Sequence, residues 1–319
     1  MENRQTDSYK ILILGIGGVG GYFGGKLAAH YTGSPEVEIG FFARGAHADA
    51  IAKNGLDLQT TQGNLTARPA YITDDPDKLQ PVDLLICCVK SYDLEDSLQR
   101  VRSCISHSTI ILPLLNGVDA TARIQKIFPG TEVWDGCVYV VARLAAPGVV
   151  KESAGMGLLY FGSTKNEFDK LRRVENIFRK AGIKAEAASD IMQTIWTKFL
   201  FISAVATATS YLNTSMGAIL EKEDRRQLLL SLLKELQAVA KAKGVILSDD
   251  IIPAMLQRMA MLPYETTSSM HSDFQKGGKT ELESLTGYVV REGKAHQVPV
   301  PNYEKLYASL QERSKQHSM

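Results

Sequence analysis

The stretch that most constrains the fold is ILILGIGGVGGYFGG, Ile11 to Gly25, in which seven of fifteen residues are glycine, directly after four apolar ones. A glycine inside a helix or strand costs roughly 0.5–1 kcal/mol relative to alanine, so a cluster of them needs a backbone reason. Gly15, Gly17 and Gly20 form GxGxxG between a predicted strand and the start of a predicted helix. In that setting the three serve a tight turn, close approach of the backbone to a pyrophosphate, and close packing of helix on strand. Free amides at the helix start favour the anion. The plain alternative is a flexible glycine loop.

The text downstream favours dinucleotide binding over that alternative. Short apolar runs alternate with helical patterns: ILIL at 11–14, VEIGFFA at 37–43, DLLICCV at 83–89, TIILPLL at 109–115 and VWDGCVYVVA at 133–142. Continuous apolar runs separated by helices indicate parallel strands buried on both faces, hence a doubly wound α/β sheet. Over 143–163, turn residues between β-branched and aromatic groups predict antiparallel strands extending that sheet, and a helix over 166–181 ends at Gly182. Beyond about residue 188 strand signals vanish. Helical spacing covers 189–212, 222–243, 249–261 and 279–293, the last with Leu282, Leu285, Val289 and Val290 on one side. Gly244 and Gly293 fall where helix C-caps are expected. The length of 319 residues suits two domains, and the boundary is expected at 188: an α/β nucleotide-binding domain over 1–188, then an all-helical domain over 189–319.

Composition narrows the partners. With 22% charged residues and a net charge of +1 there is no global basic excess, so neither nucleic acid nor an anionic membrane surface is the expected partner. Cys87, Cys88, Cys104 and Cys137 show neither CxxC spacing nor disulfide-scaffold density, which fits reduced thiols, and no metal site is expected. The N-terminal MENRQTDSYK does not read as a signal peptide. The longest mostly apolar run, FLFISAVATATSYL, has 14 residues and falls short of the ~20 that span a bilayer. A cytoplasmic protein is expected.

Several polar residues stand where chemistry can occur. VEIGFFA runs into Arg44 with no carboxylate at the strand end. An NAD site usually offers Asp or Glu there, whereas a guanidinium fork suits a 2′-phosphate; the alternative is a solvated loop charge. Ligands of open α/β sheets bind at the carboxyl ends of strands, where Lys90 and Asn116 stand. Taken alone, Asn116-Gly117 is also a turn signal. Lys198 lies on a helical stripe continued by Ile202, Val205, Ala206 and Thr209, so it either snorkels to water or borders a cleft and transfers protons. Ser269 precedes Glu281 by twelve residues, and Glu281 doubles as a favourable first-turn charge.

Taken in order, GIGGVG, Arg44, CVKSYD, LLNGVDA, IWTKFLF, TSSMHSD and TELES resemble the ketopantoate reductase family, enzymes that use NADPH to reduce 2-dehydropantoate to (R)-pantoate. The resemblance covers nearly the whole chain. It implies a Rossmann-type domain followed by a helical domain, with the active site in the cleft between them. It places the loop Gly15, Ile16, Gly17, Gly18, Val19 and Gly20 on the pyrophosphate and Arg44 on the 2′-phosphate of NADP(H). Lys90 and Asn116 fall around the cofactor's reactive end and the substrate. Lys198 becomes the general acid, with Glu281 and Ser269 contacting a small-molecule 2-oxo acid. The chain departs from the family where Ile202, Ala206 and Met216 replace substrate-pocket asparagines, which leaves another 2-oxo acid as a substrate, or a non-catalytic NADP(H) sensor, as alternative readings. Ser203 and Thr207 point well away from the Lys198 face, and only Thr209 shares it. Apolar helix faces in the second half suit either a homodimer or a core.

Overall fold

A computed structural model of the chain describes residues 8–165 and 167–316 and divides into two compact units. One runs to Leu115 and resumes over Ala120–Ile191; the other holds Asn116–Asp119 and the chain from Met192 onward. The polar N-terminal residues 1–7, and Asn166 at the start of the expected 166–181 helix, lie outside the described residues.

The first unit contains two sheets. One has six parallel strands in the order β5-β2-β1-β6-β7-β8. These are β1 (Tyr9–Leu14), β2 (Val37–Phe42), β5 (Tyr71–Thr73), β6 (Leu84–Cys87), β7 (Ile110–Pro113) and β8 (Glu132–Val133). The apolar runs that predicted strands are fully buried here, as in IILP of β7, because helices cover both faces of a parallel sheet. The helices of this unit are α1 (Gly18–Tyr31), α2 (Gly45–Asn54), α3 (Leu94–Arg100), α4 (Ala120–Ile127) and α5 (Phe168–Lys180).

The strands expected to extend this sheet do not do so. They are β9 (Asp135–Ala146) and β10 (Val149–Gly162), an antiparallel pair in a second sheet of order β11-β10-β3-β4. The hairpin β3 (Leu56–Thr60) and β4 (Gly63–Ala67) joins β10 in parallel, as does β11 (Lys184–Ala187). Residues 133–142, read as one strand, in fact leave the first sheet at β8 and enter the second at β9. Where the chain crosses over, its backbone lies close to β7, a contact no local pattern reports: a Cβ on Gly136 would meet the Pro113 carbonyl oxygen and Leu114.

The remaining glycines of the opening stretch now have a role. α1 packs against both sheets, and a side chain would meet Ile13 and Phe41 of the first sheet at Gly24 and Leu56 and Leu58 of the second at Gly25. At Gly21 it would meet Val150, and at Gly18 the Ala142 carbonyl. The helix interior tolerates the glycine penalty because only a bare backbone fits between two sheets.

The second unit is helical: α6 (Ile191–Leu212), α7 (Met216–Glu221), α8 (Glu223–Ala242), α9 (Ile251–Ala260), α10 (Ser269–Gln275), a π-helical turn over Glu283–Gly287, α11 (Tyr288–Ala295) and α12 (Pro301–Gln316). By length and composition α6 could cross a membrane, but 61% of its most apolar window is buried within the protein. Its Phe199, Leu200, Ala204 and Ala208 are core residues, as are Leu229, Leu232, Leu233 and Leu236 of α8. Gly244 adopts φ +77 just past α8 and ends it. Gly293 does not cap a helix: it lies inside α11, where a Cβ would crowd Val300 and the Val298 carbonyl, and the positive φ falls instead on Gln297. The helix expected over 279–293 is displaced and broken by the π turn.

Candidate functional site

In the first unit the candidate site is the turn after β1. Gly15 sits at φ +90, and a Cβ there would touch Val89; one on Gly20 would strike the Gly15 carbonyl. Gly17, the N-cap of α1, faces open space, with nothing within 4 Å of where its Cβ would be. The helix start has neither a side-chain cap nor an acidic residue in its first turn. Bare amides, a positive helix end and a clear approach fit a dinucleotide pyrophosphate. Ile16 and Val19 anchor the turn, Ile16 buried and Val19 packed on the core.

Arg44 is exposed at the end of β2, where it is the N-cap of α2 without a side-chain cap. His47, one turn on, accepts the Gly148 amide at Nδ1 (2.8 Å), so its neutral ring carries its proton on Nε2. Burial holds its pKa below the usual histidine value, with the Ile16 backbone opposing the shift. Lys90, half-buried, follows β6 and precedes the short turn Ser91–Asp93.

The second unit contains a hydrogen-bonded trio. Lys198 Nζ donates to Asn116 Oδ1 (3.1 Å), and Asn116 Nδ2 donates to Glu281 Oε2 (3.2 Å). A lysine only donates and a carboxylate only accepts, so these partners fix which end of the Asn116 amide is oxygen. Glu281 is 3% exposed while Lys198 and Asn116 are half-buried. One amide thus spans a cation and a carboxylate in surroundings of reduced dielectric, where charge is felt strongly. The Asn-Gly turn is formed as well, with Gly117 at φ +101 and its Cβ position 3.5 Å from Ser284.

Ser269 takes another position. It is exposed on the first turn of α10, and its neighbour Ser268 caps that helix by accepting the His271 amide. Thr209 shares the Lys198 stripe but is fully buried, bonding the Val205 carbonyl (2.7 Å) and Ser268 Oγ (3.0 Å). Ile202 is half-buried, whereas Ala206 and Met216 are 2% and 1% exposed. Sequence spacing did not indicate the His47–Gly148 bond or the π turn. A histidine near a strand end carries no local signal of its partner, and the spacing of 279–293 fits an unbroken helix.

Comparison with known proteins agrees with this architecture. Residues 11–166 match the family model described as Ketopantoate reductase PanE/ApbA, and residues 190–314 match Ketopantoate reductase PanE/ApbA C terminal. The crystal structure of 2-dehydropantoate 2-reductase from Porphyromonas gingivalis W83 is 38% identical with a TM-score of 0.83, over 95% of this chain and 99% of that one. The uncharacterized oxidoreductase YkpB of Bacillus subtilis is 28% identical over 95% of this chain and 98% of its own. The 2-dehydropantoate 2-reductase of Halobacterium salinarum is 27% identical over 92% and 94%. Fold and matches together define an oxidoreductase of the kind that uses a nicotinamide dinucleotide. The chain belongs to the ketopantoate reductase family.

Proposed function

We propose that the protein reduces 2-dehydropantoate to (R)-pantoate with NADPH, as a cytoplasmic enzyme of pantothenate biosynthesis supplying a coenzyme A precursor, with Lys198 as general acid. The observation that carries this reading is the Lys198–Asn116–Glu281 chain, in which a cation, an amide and a carboxylate converge from three distant segments. Bound NADPH supplies the hydride. Gly15, Gly17 and Gly20 would cradle its pyrophosphate, Arg44 its 2′-phosphate, and Lys90 and Asn116 its reactive end.

As the ketone carbon gains hydride, negative charge develops on the carbonyl oxygen. The Lys198 ammonium stabilises that charge and donates the proton that completes the alcohol. Asn116 accepts from Nζ and so orients the ammonium. The same cation favours the carboxylate of a 2-oxo acid. Glu281 accepts a hydrogen bond from a substrate hydroxyl, the kind of contact that rejects analogues lacking the group, and Ser269 is a second substrate contact. The unit division at Ile191 supports a nucleotide-binding domain followed by a helical catalytic one, with Asn116 lent to the latter.

Ile202, one turn beyond Lys198 and half-buried, supports a second reading: the same hydride chemistry on a 2-oxo acid with an apolar tail. One assay separates these readings: loss of reduced nicotinamide absorbance with ketopantoate and with unbranched 2-oxo acids. Turnover of ketopantoate is the expected result. Turnover of the unbranched acids alone would transfer the function to the second reading, and NADPH binding without any turnover would make the protein a sensor.

A further inference from the structure

The π turn over Glu283–Gly287 begins two residues after Glu281, and its backbone departs from the α ladder: the Tyr288 amide reaches back to the Glu283 carbonyl. Such an insertion leaves carbonyls short of partners, and π turns persist where something outside the helix supplies them. Here α6 does so. Ser203 Oγ donates to the Leu285 carbonyl (2.7 Å), which leaves it to accept from Tyr303 Oη (2.8 Å), and Thr207 Oγ1 pairs with Thr286 Oγ1 (2.8 Å). Ser203, Thr207, Thr286 and Tyr303 are all 0% exposed, so each hydroxyl would be costly to bury without its partner.

The extra residue has an angular consequence. Tyr288 and Val289 beyond the turn are buried in the core, and Glu281 before it is aimed at Asn116. Removing the insertion rotates the upstream segment by about 100° relative to the downstream one, which would take Glu281 off the amide. Ser203 and Thr207 lie five and nine residues beyond Lys198 on the same helix, on a different face. α6 therefore presents the ammonium on one side and grips the carboxylate's turn on another.

We infer that Ser203 and Thr207 are positioning residues for Glu281: they hold the π register that aims its carboxylate at Asn116, and thereby set affinity for the hydroxylated 2-oxo acid. This rests on the proposed role of Glu281 as a substrate contact. The test compares Ser203→Ala, Thr207→Val and Thr207→Ser in the full-length protein, with Glu281→Gln in parallel. Steady-state kinetics with ketopantoate, NADPH affinity, thermal midpoint, and hydrogen exchange of the amides from Leu285 to Val289 are measured for each. Small misplacements of a binding group are strongly penalised, so Ser203→Ala and Thr207→Val should each raise KM for ketopantoate about tenfold. Amide exchange in the turn should quicken, NADPH affinity should stay unchanged, and Thr207→Ser should behave as wild type. A normal KM with only a lower thermal midpoint would reduce both hydroxyls to core packing and overturn the inference. If Glu281→Gln itself leaves KM unchanged, the substrate role of Glu281 falls and the inference with it; if Glu281→Gln raises KM and the hydroxyl variants do not, the inference alone is lost.

Discussion

The glycine turn of the first unit and the lysine–asparagine–glutamate trio of the second are both candidate functional elements, yet they are built in opposite ways. The turn draws its residues from one short segment and works through the backbone: positive φ, bare amides, and space that a Cβ would fill. The trio draws on residues 82 and 165 apart in sequence and works through side chains. A contiguous backbone device announces itself in composition. A dispersed side-chain device becomes visible only when the chain has folded.

The largest expected effect tests whether the two elements are separable. Lys198→Ala should lower turnover by roughly 10² to 10⁴-fold, the usual worth of a positioned general acid, while NADPH affinity measured by fluorescence titration stays as in wild type. A near-normal rate would make Lys198 a snorkelling residue.

Next in size is a contrast within the turn. Gly18→Ala places a methyl against the Ala142 carbonyl and should lower the thermal midpoint by several degrees, following overpacking costs of about 1–3 kcal/mol. Gly17→Ala meets no protein atom within 4 Å. It should leave the midpoint nearly unchanged but weaken NADPH about tenfold or more, since the methyl would occupy the pyrophosphate approach. Equal behaviour of the two variants would remove the distinction between packing glycines and ligand glycines.

Arg44→Ala should weaken NADPH by roughly ten- to a hundredfold, in line with about 1.5–3 kcal/mol for hydrogen bonds to a charged group, and leave NADH affinity unaltered. Equal loss for both would make Arg44 a general surface charge.

The smallest effect concerns pH. His271 is 3% exposed, bonds Asn213 Oδ1 through Nε2 (2.9 Å), and has its pKa lowered by burial and by Arg313. The unfolded chain therefore binds its proton first. The stability contribution is complete above the ordinary value of about 6.5 and declines as pH falls from there through the folded-state pKa. Thermal midpoints recorded from about pH 8 to about pH 5 should fall at the acid end, and His271→Gln should flatten that slope. His47, shifted in the same direction, leaves a residual slope.

Much of the first sheet was legible because parallel strands buried on both faces read as unbroken apolar runs. The second sheet was not. β3 and β4 (LDLQT, GNLTA) are short and half-polar, and the pairing of β3 with β10 joins residues 57–59 to 149–151. Among site residues, Lys198, Asn116 and Glu281 were each ambiguous alone, as a snorkelling cation, a turn residue and a first-turn charge. Helical spacing alone puts Ser203 and Thr207 off the Lys198 face, but what they grip lies some eighty residues away. The position of Gly293 suggests a cap, but its constraint is contact with Val300, distant from any capping signal.

By itself the sequence determined the parallel sheet, the helical second half and the position of the phosphate-type turn, because periodicity and glycine content report backbone conformation directly. Only the tertiary structure decided that α1 lies between two sheets, that the Asn116 segment groups with the helical unit, and that a π turn aims Glu281. Those features depend on contacts between residues far apart in the chain, and no local propensity encodes them.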